Sequence, residues 1–156
     1  MQQIAPHIVP YRPEYKEHFE RLNKAWLEEY FTVEPIDEFV LTQPEKAILS
    51  GGGRILFALL GDTVIGTVAL RPAGPGIYEL TKMAVDKAFR GKGAGEQLCR
   101  AALREASCLG AQKVILYSQT GLQAAIGIYR KLGFSEIALE TGKYRRADIK
   151  MELALR

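Results

Sequence analysis

A run of β-forming residues, Ile77 to Val85, breaks at Asp86 and leads into three glycines at alternate positions: Gly91, Gly93 and Gly95. A helical pattern opens immediately after them. Glycine lets the backbone approach a ligand with no Cβ in the way. The helix that follows starts with unsatisfied N–H groups and the positive end of its dipole. Strand, glycine turn and helix N-terminus together make an anion site, suited to a phosphate or pyrophosphate. Arg90 and Lys92 add positive charge there. No G-x-x-x-x-G-K-[ST] string exists, so a P-loop is excluded. Glu96 fails the third glycine of a dinucleotide fingerprint.

The flanking pattern predicts a mixed sheet with helices on both sides, in the order β-α-α-β-β-β-α-β-α-β-β. Residues 3 to 9 read as a first strand. Tyr15, Phe19, Leu22, Trp26 and Tyr30 recur at helical spacing and make one apolar face. A shorter helix over 36 to 49 is interrupted near Pro44. Gly51-Gly52-Gly53 reads as a flexible turn. The runs 54 to 60 and 63 to 70, joined by Gly61-Asp62, predict a hairpin. Residues 71 to 76 read as a loop. Strict alternation in the strand 77 to 85 puts Glu79, Thr81, Met83 and Val85 on one face. A helix over 93 to 109 with Gly110 as its C-cap follows, its inner face being Leu98, Ala102, Ala106 and Leu109. Val114 to Tyr117 is apolar on both faces, the mark of a central parallel strand covered by helices. It completes a βαβ unit. A helix over 122 to 132 and strands over 134 to 139 and 148 to 155 end the chain. The polar link 140 to 147 carries the basic run Lys143-Tyr144-Arg145-Arg146.

Composition sets the remaining bounds. The chain has 156 residues, 47% of them apolar and 25% charged, enough for one domain over 1 to 156 with a sizeable core. A net charge of +3 suits an anionic small ligand and makes no demand for nucleic acid. No interleaved stacking aromatics accompany the basic run. No apolar run approaches the ~18 residues of a membrane span, and no signal peptide is visible. Cys99 and Cys108 fall on one helix, roughly 13 Å apart at the helical rise. That is too far for a disulfide. Free thiols fit a reducing cytoplasm. His7 and His18 lie apart from any carboxylate or cysteine cluster, so no metal site is expected.

The string Arg90-x-x-Gly93-x-Gly95 resembles the acetyl-coenzyme A signature of the GNAT family of N-acetyltransferases. Two further strings resemble the same family: Ile128-Tyr129-Arg130-Lys131-Leu132-Gly133-Phe134 at the end of its last helix, and Glu79-Leu80-Thr81-Lys82-Met83-Ala84-Val85 in the strand before the cofactor loop. The element order resembles the GNAT fold over nearly the whole chain. The resemblance implies an α/β fold with splayed central parallel strands and acetyl transfer from acetyl-CoA to a primary amine of a small molecule or peptide. The backbone of Met83, Ala84 and Val85 would pair with the pantetheine arm. The amides of Arg90, Gly91, Lys92, Gly93, Ala94 and Gly95 would hold the pyrophosphate. Tyr129 matches the family's general acid. One departure stands out: Leu122 occupies a position where many members carry asparagine.

Attack by an amine on a thioester needs a base to remove the ammonium proton. Glu79, the one carboxylate in its apolar run, is the candidate. The competing reading is a strand-edge glutamate in solvent. For Tyr129 the competing reading is core packing. Tyr30 and Phe31, at the end of the first helix, are candidates for the acceptor pocket, as are Tyr144 and Arg145, where a basic side chain would bind a substrate carboxylate. The competing reading of the basic run is a solvated hairpin tip. The expected assembly is a monomer or homodimer that engages neither nucleic acid nor membrane. A non-catalytic acyl-CoA sensor is the alternative function, and it would need neither Glu79 nor Tyr129.

Overall fold

A computed structural model describes residues 5–140 and 146–155. Its strands are β1 (His7–Pro10), β2 (Arg54–Leu60), β3 (Thr63–Gly74), β4 (Ile77–Val85), β5 (Lys113–Ser118), β6 (Ser135–Ile137) and β7 (Ile149–Ala154). The helices are α1 (Lys16–Tyr30), α2 (Pro35–Thr42), α3 (Pro44–Ala47), α4 (Ala94–Cys108) and α5 (Gln123–Lys131). The strands form one seven-stranded sheet in the order β1-β2-β3-β4-β5-β7-β6. Only β4 and β5 pair in parallel.

Two apolar layers flank the sheet. One gathers Leu98, Ala102 and Ala106 of α4 with Leu80, Val114, Leu116 and Met151. The other gathers Phe19, Leu22 and Leu27 of α1 with Val40, Leu41, Ile55 and Phe57. Burial of each of the leucine, valine, isoleucine, phenylalanine and methionine side chains contributes about 1.5–3 kcal/mol.

Three sequence expectations are corrected. The segment 71 to 76 is not all loop: β3 runs through Pro72 to Gly74, where a register shift between Pro72 and Gly74 accommodates the proline. β5 is not buried under helices on both faces, because Ile115 and Tyr117 line an open cleft with Arg71, Lys113 and Lys150. Alternation in β4 also fails. The β3–β4 register passes from Ala69↔Thr81 to Thr67↔Ala84, so Lys82 and Met83 together face Val68. That two-to-one count is a β-bulge. Lys82 has φ +56°, and among the described residues it is the non-glycine with positive φ. Beyond the bulge the faces swap. Tyr78 and Leu80 pack on the α4 side together with Met83 and Val85, whereas Ala84 packs on the α1 side. Glu79 therefore lies across the sheet from Met83 and Val85.

The triple glycine is also more than a flexible turn. A Cβ on Gly53 would lie 2.5 Å from the Leu70 carbonyl oxygen and 2.7 Å from that of Ile48, whereas one on Gly51 would meet nothing within 4 Å. Gly53→Ala is expected to destabilise the protein by about 1–3 kcal/mol through overpacking against backbone. Gly51→Ala should stay within about 0.5 kcal/mol of the parent. Urea titration of the two variants checks the contrast.

Candidate active site

The parallel ladder of β4 and β5 is short. It comprises Ile77↔Lys113, Tyr78↔Val114 and Glu79↔Ile115, and then both strands continue without pairing to each other. From Leu80 to Val85 the β5-facing edge of β4 is free of ladder partners. A cavity of about 130 Å³ occupies the opening. Asn23, Trp26, Leu27 and Phe31 wall it from α1, and Leu122, Ala125 and Tyr129 wall it from the α5 side. It thus passes through the sheet from one layer to the other.

At the far end of β4, Gly91 and Gly93 take left-handed backbone, φ +77° and +95°, which glycine alone adopts cheaply. Gly93 is the N-cap of α4, and the first intrahelical bond runs from the Gln97 N–H to the Gly93 carbonyl. The amides of Ala94, Gly95 and Glu96 precede it and have no intrahelical acceptor. A Cβ on Gly95 would make ordinary contacts with Ile128, Met83 and Val85, at 3.5 to 3.8 Å. The first turn of α4 therefore sits on both β4 and α5. This cradle of free amides fits a pyrophosphate. The Arg90 side chain is otherwise engaged: Nε donates to the Val85 carbonyl at 3.0 Å and Nη1 pairs with Glu29 at 2.9 Å. It braces the loop against α1, and Lys92 remains exposed beside the amides.

Glu79 is 2% exposed, which removes the reading of a solvated strand-edge glutamate. Its Oε1 lies 3.6 Å from Arg71 Nη2, and it borders both the cavity and the open cleft beside β5. Tyr129 is buried, packs edge-on to Phe134 at 5.9 Å and also lines the cavity. Burial, with a smaller contribution from Cys99, pushes its phenol well above the usual range, so the hydroxyl keeps its proton at neutral pH. Packing and cavity lining thus hold together for this residue.

Phe31 reaches the cavity and Tyr30 does not. Tyr30 is 47% exposed and its ring packs outside, tilted against Trp26 and Phe31 with centroids 5.4 and 6.4 Å away. Tyr144 and Arg145 lie outside the described residues. Their neighbour Arg146 does line the cavity, but as part of a network that sequence reasoning did not anticipate. Asp37, fully buried, accepts Lys82 Nζ at 2.9 Å and the Arg146 guanidinium at 2.7 and 3.0 Å. Arg146 also pairs with Glu34 at 3.1 Å and lies over the Phe31 ring at 5.9 Å. The Glu34 N–H donates to Asp37, which occupies the third helical position of α2. The only sequence signal was Glu34-Pro35-x-Asp37, an acidic cap at a helix start. Nothing local marked Lys82 as its partner.

Among the described residues no group of histidine, cysteine and carboxylate side chains could hold a metal, and no helix is long and apolar enough to cross a membrane.

A sequence model of the acetyltransferase (GNAT) family matches residues 15–134. The chain belongs to the GNAT family. Its relatives include a mycothiol acetyltransferase of Corynebacterium glutamicum, 34% identical over 95 residues, which are 61% of this chain and 32% of the relative. The RimI N-alpha-acetyltransferase of Mycobacterium tuberculosis is 33% identical over 88 residues, 54% of each protein. The chain thus spans about a third of the mycothiol acetyltransferase. Among solved structures, a GNAT acetyltransferase of Staphylococcus aureus superposes with TM-score 0.87 at 22% identity, covering 97% of this chain and all of the other. A Bacillus subtilis acetyltransferase in complex with CoA gives TM-score 0.75 at 22% identity, with 97% and 100% coverage. These likenesses establish the fold.

Burial pushes the Asp37 carboxyl up, but hydrogen bonds from Arg146 and Lys82 outweigh it and hold its pKa at about 2. A depressed carboxylate stabilises the fold above its unfolded pKa, ~3.9, and that stability is lost as pH falls toward the folded value. Asp37→Asn is expected to lower stability by roughly 3 kcal/mol at neutral pH, because Lys82 loses its buried counter-ion. The variant should also lose less further stability than the parent between pH 4 and pH 2. Urea midpoints across that range measure both effects.

Proposed function

We propose that this chain transfers an acetyl group from acetyl-CoA to a primary amine of a small molecule or peptide, by direct attack in a ternary complex. The observation that carries the proposal is the end of the parallel ladder at Glu79↔Ile115, which leaves a strand edge open beside a cavity lined by Glu79 and Tyr129. Bound there, acetyl-CoA supplies a thioester already activated for acyl transfer. The backbone of Met83, Ala84 and Val85 lends the free edge for the pantetheine arm. The amides from Gly91 to Gly95, with exposed Lys92, hold the pyrophosphate.

Glu79 takes the ammonium proton from the acceptor, directly or through water. Its place between the two openings lets an amine reach it from the side of the sheet away from Met83. Tyr129, protonated at neutral pH, donates to the departing thiolate from the α5 side. Base and acid thus border one cavity from opposite faces of the sheet, so the proton taken from the amine and the proton given to the thiolate are handled by separate groups. The relatives named mycothiol acetyltransferase and N-alpha-acetyltransferase support an acceptor among small molecules and peptides. An acyl-CoA sensor is less well supported, since it would need neither a buried carboxylate nor a phenol in its cavity.

Thiol release from acetyl-CoA across a panel of amines and peptides tests the activity. With a productive acceptor, Glu79→Gln is expected to lower kcat by roughly 10²–10⁴ at neutral pH and leave acetyl-CoA affinity in calorimetry nearly intact. Raising the pH should narrow the gap as the acceptor deprotonates by itself. A variant matching the parent across the pH–rate profile would remove Glu79 from the mechanism.

Tyr129→Phe keeps the packing surface and deletes only the hydroxyl. A loss of roughly 10²-fold or more in kcat is expected with acetyl-CoA, and a smaller loss with a thioester whose leaving thiol is more acidic. Equal losses with both thioesters would count against proton donation.

A further inference from the structure

The cavity has two sides of different chemistry. Leu122, Ala125 and Tyr129 wall the α5 side, next to the leaving thiol. The other side faces α1, and Glu79 points the same way, since its neighbours Tyr78 and Leu80 pack toward α4. Trp26, Leu27 and Phe31 form the wall there. The Trp26 and Phe31 rings are tilted against each other with centroids 5.6 Å apart, and both are only partly buried. Such a wall offers flat apolar surface at small conformational cost, and a further ring packs well against it.

The charges around this wall are already matched to one another. Lys82 and Arg146 line the cavity, and both donate to Asp37. Arg146 also pairs with Glu34. Two cations and two carboxylates sum to zero. A carboxylate brought in with the acceptor would meet Glu34 and Asp37 beside the cations. A second cation would meet Lys82 and Arg146, and the place over the Phe31 ring is held by the Arg146 guanidinium at 5.9 Å. Either charge would give up its water and gain no partner of its own. Among the described residues Glu79 is the one carboxylate lining the cavity, and it is the group that meets the acceptor's ammonium.

We propose that the acceptor is an arylalkylamine: a primary amine whose nitrogen meets Glu79, whose short chain sets a flat neutral ring against Trp26 and Phe31, and which carries neither a carboxylate beside the amine nor a second cation. The proposal rests on the acetyltransferase reading above and narrows its acceptor. The amine nitrogen bonds to the acetyl carbon and the C–S bond breaks. Glu79 takes the proton that the nitrogen loses, and Tyr129 gives one to the thiolate. The products are an N-acetylated arylalkylamine and coenzyme A. An amino acid differs from such an acceptor by one charge, placed where the closed network turns it away.

Matched acceptors isolate each feature. Phenethylamine is compared with phenylalanine, which adds a carboxylate, and with phenylalanine amide, which adds a neutral group of similar size. Ethylamine lacks the ring, and cadaverine carries a second ammonium in its place. Thiol release gives kcat/KM, normalised to the unprotonated fraction of each amine, and mass spectrometry identifies the acetylated product. Phenethylamine is expected to exceed phenylalanine and cadaverine by about 10²-fold, with phenylalanine amide within about tenfold of it. Ethylamine should fall about 10²-fold below phenethylamine, because it buries no ring. Trp26→Leu keeps an apolar side chain and removes the indole. It should cut the phenethylamine-to-ethylamine ratio about tenfold, with acetyl-CoA affinity in calorimetry little changed. If that variant does not fold, the acceptor series in the parent decides alone. Equal turnover of phenylalanine and phenethylamine would overturn the proposal, as would a preference for cadaverine or an unchanged ratio in folded Trp26→Leu. A peptide acceptor used better than every arylalkylamine would overturn it too. All four outcomes leave acetyl transfer standing, whereas a parent that binds no acetyl-CoA or acetylates no amine would overturn this proposal together with the function beneath it.

Discussion

The parallel ladder between β4 and β5 holds for three residue pairs and then gives way. A parallel pair normally runs on until a strand ends, because each unpaired N–H and C=O in an interior costs free energy. Here the strands part while both are still extended, and the polar edge they expose becomes the wall of a cavity. The rest of the molecule is arranged around that opening. α1 covers it from one side and α5 from the other, and the glycine loop with the first turn of α4 stands at the end of β4. Arg90 ties that loop back to both the strand and the end of α1.

The charges near the opening divide by what they touch. Asp37, Lys82, Arg146 and Glu34 sum to zero and are largely withdrawn from water. Removing charges of this kind from solvent is costly unless each is closely paired and hydrogen-bonded. Their geometry meets that condition, with a bidentate arginine and a lysine on one carboxylate. The network is therefore better understood as a determinant of shape than as a source of net stability. Surface pairs such as Arg12–Glu14, both partners about 60% exposed, contribute little to either.

Local chemistry made much of this legible in the sequence. Gly91, Gly93 and Gly95 announced a backbone cradle because left-handed conformations and close approach are written into the residue type. The strands and helices around them followed from apolar period, with boundaries shifted by a few residues. What stayed hidden depended on distance in sequence or on an exception to a period. A lysine gives no sign that it will adopt a left-handed conformation, so the bulge, and with it the face of Glu79, could not be read from alternation. The Asp37–Lys82 pair spans 45 residues and the Asp37–Arg146 pair 109. Pro72 argued for a loop, yet a second register shift carries β3 past it. Tyr30 and Phe31 are adjacent and aromatic, and only the turn at the end of α1 decides that one faces the cavity and the other faces solvent.

The two cysteines differ in a way that bears on handling the protein. Cys99 is buried against Met83, its sulfur 3.2 Å from the thioether, and burial pushes its thiol up to about 12. Cys108, nine residues on, is exposed at the far end of the same helix. Thiolate is the reactive species, so alkylating and disulfide reagents meet one sulfur and pass over the other. A colorimetric measurement of released coenzyme thiol therefore carries a background of one equivalent per chain. The same selectivity makes Cys108 a ready attachment point for a fluorophore or spin label at the end of α4 away from the glycine loop.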